Sequence, residues 1–218
     1  MSPTPKVAAQ AAAAANLEFA DAFVPLSTAA QAARSHASDH GLSPVSPGAA
    51  AALTFLAATL KARNVVEIGT GTGVASVALL EGMAPDGVLT SIDNEAELQL
   101  LAREVLTGAG VPRPRARLIA GDALGVLPKL TDDAYDLVLV DGDPLEYVEY
   151  VAQAVRLLRP GGVVAVHHAL WRGLVADPDN EEDEPLIVRE ALDAVRGLEG
   201  FTSVLLPIGD GLLVAVKA

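Results

Sequence analysis

Cysteine is absent from this chain of 218 residues. Its absence excludes disulfides, thiolate metal sites and a cysteine nucleophile, and it fits a cytoplasmic location. Aromatic residues are also few, since they make up 4% of a sequence that is 51% hydrophobic. The core is therefore expected to consist mainly of Ala, Val and Leu, which pack helices and parallel strands closely.

Positive charge is scarce as well, with 15 Lys and Arg against 28 Asp and Glu and a net charge of -13. Binding to nucleic acid or to an anionic membrane surface calls for clustered Lys and Arg, so neither partner is expected and a small-molecule substrate is favoured. Long apolar runs are missing too, because none reaches the roughly 18 residues that a membrane span requires. The length suits one large α/β domain.

A glycine-rich turn follows the apolar run at Val65–Ile68. Gly69, Gly71 and Gly73 allow the backbone to turn tightly and to approach a ligand, which then lies on the exposed amides of the next helix. Glu67 stands just before these glycines. An acid there disfavours a pyrophosphate and suits a cationic ligand such as S-adenosylmethionine, which has a sulfonium, an ammonium and a ribose but no phosphate.

A second acid, Asp93, lies twenty residues beyond Gly73, at the end of the apolar run Val88–Ile92. At the carboxyl end of a strand it can accept both ribose hydroxyls of a cofactor. The dinucleotide spacing G-x-G-x-x-G is not met, because position 74 is Val. An NAD(P)-dependent oxidoreductase is therefore the disfavoured alternative.

The order of predicted elements indicates the fold class. Short β-rich runs alternate with helical stretches, which is typical of a Rossmann-like, doubly wound, mostly parallel sheet. An Asp-Gly turn at 210–211 joins the last two runs into an antiparallel hairpin, making seven strands. We expect a single domain, with an N-terminal helical cap at 1–62 and an α/β core at 63–218. The predicted strands are 65–68, 88–92, 116–119, 135–140, 162–167, 201–206 and 212–216.

Seven motifs in order make the chain similar to a known family. It resembles the class I S-adenosylmethionine-dependent O-methyltransferases of the catechol and caffeoyl-CoA O-methyltransferase family. The resemblance covers about residue 47 to the C-terminus. The motifs are 66–70 with Gly73, 91–93, 121–123, 136–143, 157–162, 170–173 and 206–212.

The resemblance implies a role for each matched position. Glu67, Gly69 and Thr70 are expected to line the methionine end of the cofactor together with the turn glycines Gly71 and Gly73. Asp93 is expected to bind the ribose, and Val45 to cover the methionine carboxylate through its backbone. The adenine side is expected to be surrounded by Gly121, Asp122, Ala123 and Asp143.

The chain departs from the family where the chemistry takes place. Asp141 matches the family's first metal ligand, but His167 and His168 replace the Asp-Asn pair that supplies the other two, and Pro144 replaces the catalytic Lys. Mg²⁺ prefers hard oxygen ligands, so its binding is not expected.

Three roles remain open for the histidine pair. One imidazole could act as general base toward a substrate hydroxyl, could bind Zn²⁺ with Asp141, or could hydrogen-bond to Asp141 in a structural role. Because adjacent strand residues point to opposite faces, we expect that both imidazoles do not reach one ion.

These observations favour an S-adenosylmethionine-dependent O-methyltransferase that acts on a small hydroxylated acceptor without Mg²⁺, with Asp141, His167 and His168 as the candidate catalytic residues. The alternative from another class is a cofactor-binding protein that has lost catalysis. A homodimer is expected, because the Ala-rich N-terminal helices are more apolar than a monomer's surface requires. The acidic segment 177–184 is interpreted as a solvated loop.

Overall fold

A computed structural model describes residues 5–218 of the chain, so residues 1–4 of the expected N-terminal cap lie outside the described part. The helices of the described part are α1 (Pro5–Asp21), α2 (Thr28–Asp39), α3 (Pro47–Leu60), α4 (Val74–Gly82), α5 (Ala96–Gly108), α6 (Ala123–Val126), α7 (Tyr147–Leu157) and α8 (Asp183–Arg196). Its strands are β1 (Asn64–Ile68), β2 (Val88–Asp93), β3 (Ala116–Ala120), β4 (Tyr135–Val140), β5 (Leu158–His167), β6 (Phe201–Leu206) and β7 (Leu212–Lys217). Among these residues, no helix is both long and apolar enough to cross a membrane.

The seven strands form one sheet in the order β3-β2-β1-β4-β5-β7-β6. Strands β1 to β5 run parallel, whereas β7 pairs antiparallel with both β5 and β6. Helices connect the parallel strands, as the geometry of parallel pairing requires. The predicted fold class, including the closing antiparallel hairpin, is confirmed.

Helices cover both faces of the sheet, and successive strand residues alternate between the two apolar layers. Val65 of β1 packs in the layer beneath α2, α3, α4 and α5, whereas Val66 packs in the layer beneath α7 and α8. This alternation follows from the period of two in a strand. The central strands β4 and β5 are buried on both faces and therefore contain the continuous apolar runs Leu137–Val140 and Val163–Val166.

Serine caps fix where the N-terminal helices begin. The Ser27 hydroxyl accepts a hydrogen bond from the Ala30 amide, and the Ser46 hydroxyl accepts one from the Ala49 amide, each at 3.2 Å. Such caps satisfy amides that the first helical turn leaves free. The two caps therefore define where α2 and α3 begin.

Acidic residues 177–184 form a loop only in part, which corrects the sequence interpretation. Asp183 and Glu184 belong to the first turn of α8. Carboxylates are favoured at this position, because a helix N-terminus carries partial positive charge. Residues 177–182 connect the short 3₁₀ helix Trp171–Ala176 to α8 and are mostly exposed.

The strand order reverses next to β1, and this places a crevice there. Ile68, the last residue of β1, pairs with Ile92 of β2 on one side and with Val140 of β4 on the other. Gly69, Asp93 and Asp141 therefore emerge side by side at the carboxyl ends of adjacent strands. Open α/β sheets bind ligands at this kind of position.

Candidate functional site

A cavity of about 500 Å³ opens at the carboxyl ends of β1, β2 and β4. The connector between α2 and α3 covers one side of it, and the segment after β5 forms the far wall. Among the residues predicted to bind the cofactor, Val45, Gly69, Thr70, Gly71, Asp93, Asp122, Ala123 and Asp143 line the cavity. Glu67, Gly73 and Gly121 are absent from its wall.

The turn after β1 adopts a backbone that requires glycine. Gly69 and Gly73 have φ angles of 93° and 94°, in the left-handed region that side chains rarely adopt. A Cβ on Gly69 would lie 2.1 Å from the carbonyl oxygen of Asp141, and one on Gly73 would lie 3.1 Å from the Cβ of Ala102. Gly69 thus permits close contact between the turn and β4, and Gly73 permits packing of the turn against α5.

Asp93 is held at the cavity wall by backbone amides. Gly71 donates its amide hydrogen to Oδ2 at 2.7 Å, and Glu95 donates to Oδ1 at 2.8 Å. The carboxylate is therefore fixed in orientation, and oxygen lone pairs remain for further donors. This arrangement can accept hydroxyl groups from a ligand in the cavity.

Glu67 lies beneath the glycine turn and is completely buried. Ser76 donates its hydroxyl to Oε2 at 2.5 Å, whereas Oε1 has no hydrogen-bond partner. Burial raises the pKa of Glu67 to about 8, and the nearby charges of Asp141 and Asp93 act in the same direction against the hydrogen bonds from Ser76 and Ser91. The carboxyl group is thus a buried acid directly behind the cavity.

Polar side chains also support the floor of the site. The Thr70 and Ser91 hydroxyl oxygens lie 2.6 Å apart, and the Gln99 side chain donates to Thr70 at 3.0 Å. On the opposite side, Asp122 and Asp143 accept hydrogen bonds from the amides two residues further on, at 3.1 and 3.0 Å. These acids are therefore held by the starts of short helices rather than by cations.

The far wall of the cavity holds two neighbouring acid–histidine pairs. His167 Nδ1 lies 2.7 Å from Asp141 Oδ1, and His168 Nδ1 lies 2.8 Å from Asp210 Oδ2. The two pairs meet, because His168 Nε2 lies 3.9 Å from Asp141 Oδ1 and the ring centroids of the two histidines are 4.0 Å apart.

The expectation that the two imidazoles point to opposite faces is therefore wrong. Strand β5 ends at His167, and His168 has a φ of 53°, in the left-handed region. Alternation of side chains holds only while the extended backbone continues, so this turn brings His168 to the side of His167.

Only one of the two imidazoles forms part of the cavity wall. His168 lines the cavity and its side chain is 21% exposed, whereas the His167 side chain is 1% exposed. Burial acts to lower the pKa of His167, but the charge and hydrogen bond of Asp141, with the charge of Asp210, outweigh it and raise the pKa. His167 is therefore the partner that holds Asp141, and His168 is the imidazole that a ligand can reach.

One carboxylate and two imidazoles make a poor set of ligands for Mg²⁺. Candidate ligand atoms of Asp141, His167 and His168 lie within 4.8 Å of one another, the one such group in residues 5–218. Mg²⁺ requires octahedral oxygen coordination, which this group does not supply, whereas Zn²⁺ accepts imidazole nitrogen and carboxylate oxygen. The residues present do not fit the ion that the resemblance implies.

Two contributors to the far wall were not identified as site residues from the sequence. In the sequence, Asp210 belongs to the Asp-Gly turn and to the motif 206–212, neither of which assigns it to the site, yet its carboxylate reaches His168. Trp171 also lines the cavity, and its ring meets that of His168 edge-on, with centroids 5.7 Å apart. The sequence signals that could have identified Asp210 are its place in the motif 206–212 and its position in a turn next to the strand that pairs with β5.

Comparisons with known proteins point to one family. A family model described as O-methyltransferase matches residues 30–218. A protein from Mycobacterium sp. (strain JLS), whose name assigns it provisionally to the O-methyltransferases, is 47% identical over 186 residues, which are 85% of this chain and 84% of that protein.

Two solved structures are similar over nearly their whole length. A protein from Corynebacterium glutamicum has a TM-score of 0.87 at 30% identity, covering 94% of this chain and 97% of that one. The O-methyltransferase TomG from Streptomyces achromogenes, involved in tomaymycin synthesis and solved in complex with S-adenosylmethionine, has a TM-score of 0.82 at 29% identity, covering 94% and 96%.

Proposed function

The chain belongs to the O-methyltransferase family, and we propose that it transfers the methyl group of S-adenosylmethionine to a hydroxyl group of a small acceptor without Mg²⁺. The observation that carries this proposal is that one cavity has the glycine turn and Asp93 on one wall and His168 on the other. A cofactor seated on the turn therefore faces an imidazole across the space that an acceptor would fill.

The charge of the cavity wall supports S-adenosylmethionine as the cofactor. Asp93, Asp122, Asp141 and Asp143 line the cavity. These carboxylates attract a sulfonium and an ammonium and repel a pyrophosphate. The structure of TomG in complex with S-adenosylmethionine, at 29% identity, supports the same choice. The charge of the wall counts against the nicotinamide alternative.

The proposed reaction is an in-line displacement. The acceptor oxygen attacks the methyl carbon, the new C–O bond forms as the C–S bond breaks, and the sulfur leaves as a neutral thioether. His168 Nε2 takes the hydroxyl proton, and Asp141, with its Oδ1 3.9 Å away, stabilises the imidazolium that results. The remaining contribution of the cavity is to align oxygen, carbon and sulfur.

A cofactor-binding protein without catalysis is the second candidate. Pro144 stands where the family has its catalytic Lys, and the histidines replace two ligands of the metal. Such a protein would bind S-adenosylmethionine but would release no S-adenosylhomocysteine with any acceptor.

We expect methyl transfer to be unaffected by removal of divalent metals. Purified protein is incubated with S-adenosylmethionine and a panel of small phenols and alcohols, and release of S-adenosylhomocysteine is measured with and without EDTA. Equal rates are expected, because the donor set does not fit Mg²⁺. A rate that EDTA abolishes and Zn²⁺ restores would make the histidines metal ligands. Cofactor binding without turnover on any acceptor would instead favour the inactive protein.

We also propose that the protein is a homodimer, formed through the N-terminal helices. Phe19 and Phe23 are 71% and 72% exposed, their ring centroids are 6.2 Å apart, and Phe55 of α3 is 68% exposed. Exposed aromatic side chains in neighbouring helices are typical of a surface that another chain covers.

Sedimentation at tens of micromolar should therefore give a dimer. The double variant Phe19→Glu, Phe23→Glu should sediment as a monomer, because two charges cannot be buried unpaired in the interface. Leu100→Glu, at a position on α5 that is 70% exposed, is the matched control and should leave the dimer intact. A monomeric wild-type protein would refute this assembly.

A further inference from the structure

The turn between β6 and β7 is fastened to the segment that follows β5. His167 pairs with Leu212 across the antiparallel ladder. Beyond this pair, the Ala169 amide donates to the Gly211 carbonyl at 3.2 Å and the Leu170 amide donates to the Asp210 carbonyl at 2.9 Å. The backbone of Asp210 is therefore fixed directly beside His168.

The turn between β6 and β7 packs tightly against the segment after β5, at the contact of Gly211 with Leu170. Gly211 has a φ of 86°, and a Cβ at this position would lie 2.6 Å from a side-chain carbon of Leu170. Only glycine fits here without displacing its neighbour. The turn therefore presents Asp210 to His168 in one geometry.

Both carboxylate oxygens of Asp210 are engaged. Oδ2 lies 2.8 Å from His168 Nδ1, and Oδ1 accepts a hydrogen bond from the backbone amide of Arg172 at 2.5 Å. The two contacts fix the plane of the carboxylate. They also restrain the imidazole, whose Nε2 lies 3.9 Å from Asp141 Oδ1, beyond hydrogen-bonding distance.

This geometry determines which nitrogen of His168 carries a proton. An ionised carboxylate only accepts hydrogen bonds, so His168 Nδ1 must be the donor to Asp210. In the neutral imidazole, Nε2 then carries the lone pair. A general base needs that lone pair free on the side of the acceptor.

We propose that Asp210 is a positioning residue, which holds His168 in the tautomer and orientation that place the Nε2 lone pair in the acceptor region of the cavity. The inference rests on the proposed function, since it concerns the base of the proposed reaction. Asp210 touches neither cofactor nor acceptor in this role. It acts through His168 alone.

Asp210→Asn tests the role with little change of shape. Its side-chain amide can donate to His168 Nδ1, which would move the imidazole proton to Nε2 and block the base. We expect kcat to fall about 10- to 100-fold, while the KM for S-adenosylmethionine stays within twofold. Asp193→Asn on the exposed face of α8 is the matched control and should retain full kcat. Asp210→Glu, which keeps a carboxylate, should recover part of the lost rate.

Nitrogen NMR of the His168 ring provides a readout that does not require turnover. The wild-type protein should show a protonated Nδ1 and an unprotonated Nε2, and Asp210→Asn should show the reverse. An unchanged tautomer, or a kcat equal to that of wild type, would overturn the proposal. If the tautomer changes in a protein that methylates no acceptor, the positioning role is upheld and the proposed function fails.

Discussion

Replacing His168 by Ala is expected to lower kcat about 10²-fold or more while leaving the affinity for S-adenosylmethionine nearly unchanged. General-base catalysis contributes at least about this factor. His168 is the imidazole on the cavity wall, with Nε2 3.9 Å from Asp141 and Nδ1 held by Asp210. Its removal leaves the acceptor hydroxyl without a positioned base and leaves the glycine turn intact.

From the sequence alone, either His167 or His168 could be the general base. The structure favours His168, because the His167 side chain is 1% exposed and bonded to Asp141. Steady-state kinetics with saturating cofactor measures the loss, and calorimetry with S-adenosylhomocysteine measures the affinity. His36→Ala, which removes an imidazole outside the cavity wall, should behave as wild type. If kcat of His168→Ala falls less than threefold, a group other than His168 takes the hydroxyl proton.

Asp93→Ala is expected to weaken binding of S-adenosylmethionine by about 1.5–3 kcal/mol, the scale of a lost hydrogen bond to a charged group. This corresponds to a Kd about 10 to 150 times higher. Asp93 lines the cavity, and its oxygens also accept from the amides of Gly71 and Glu95. The substitution would therefore remove the proposed ribose partner and an anchor of the glycine turn.

Calorimetry compares this variant with Asp86→Ala, which removes an exposed acid paired with Arg63 far from the turn and should bind as wild type. NAD(H) should bind neither protein. An unchanged affinity in Asp93→Ala would place the ribose elsewhere. Binding of NAD(H) as tight as that of S-adenosylmethionine would contradict the assignment of the cofactor.

The positions of Gly69, Asp93 and Asp141 at one edge of the sheet could be predicted because their signals are local. Each residue ends or directly follows an apolar run, and the carboxyl ends of parallel strands meet at the same edge. Which of the predicted site residues line the cavity was harder to predict. Glu67, for example, is buried behind the glycine turn and is not part of the cavity wall.

Strand β5 shows where local signals fail. It was predicted at 162–167 but begins at Leu158. Its Arg159-Pro160-Gly161-Gly162 run is typical of a turn in sequence, yet the structure includes it in the strand beside a register shift opposite Tyr135–Leu137. Pairing with β4 decides this conformation, and no pattern within the run itself signals it.

The far wall of the cavity depends on contacts between residues that are distant in sequence. The left-handed backbone of His168 could not be predicted from its residue type, because only a small fraction of non-glycine residues adopts it, even though histidine does so more often than most. Asp210 is 42 residues from His168 and reaches it only through the pairing of β7 with β5. The sequence analysis therefore identified both members of the Asp141–His167 pair, but of the His168–Asp210 pair it identified only His168.

Gly69 also has a consequence for how such an enzyme can change its substrate. Its amide donates to Ile92, the Asp141 amide donates to Ile68, and no side chain fits between Gly69 and the Asp141 carbonyl. Substitutions at this contact between Gly69 and Asp141 would disturb the proposed positions of S-adenosylmethionine and of the acceptor together. Natural variation and protein engineering therefore have little freedom at these two residues. New acceptor preferences should arise from the side chains of residues 42–44 and of Trp171, which line the cavity outside this contact.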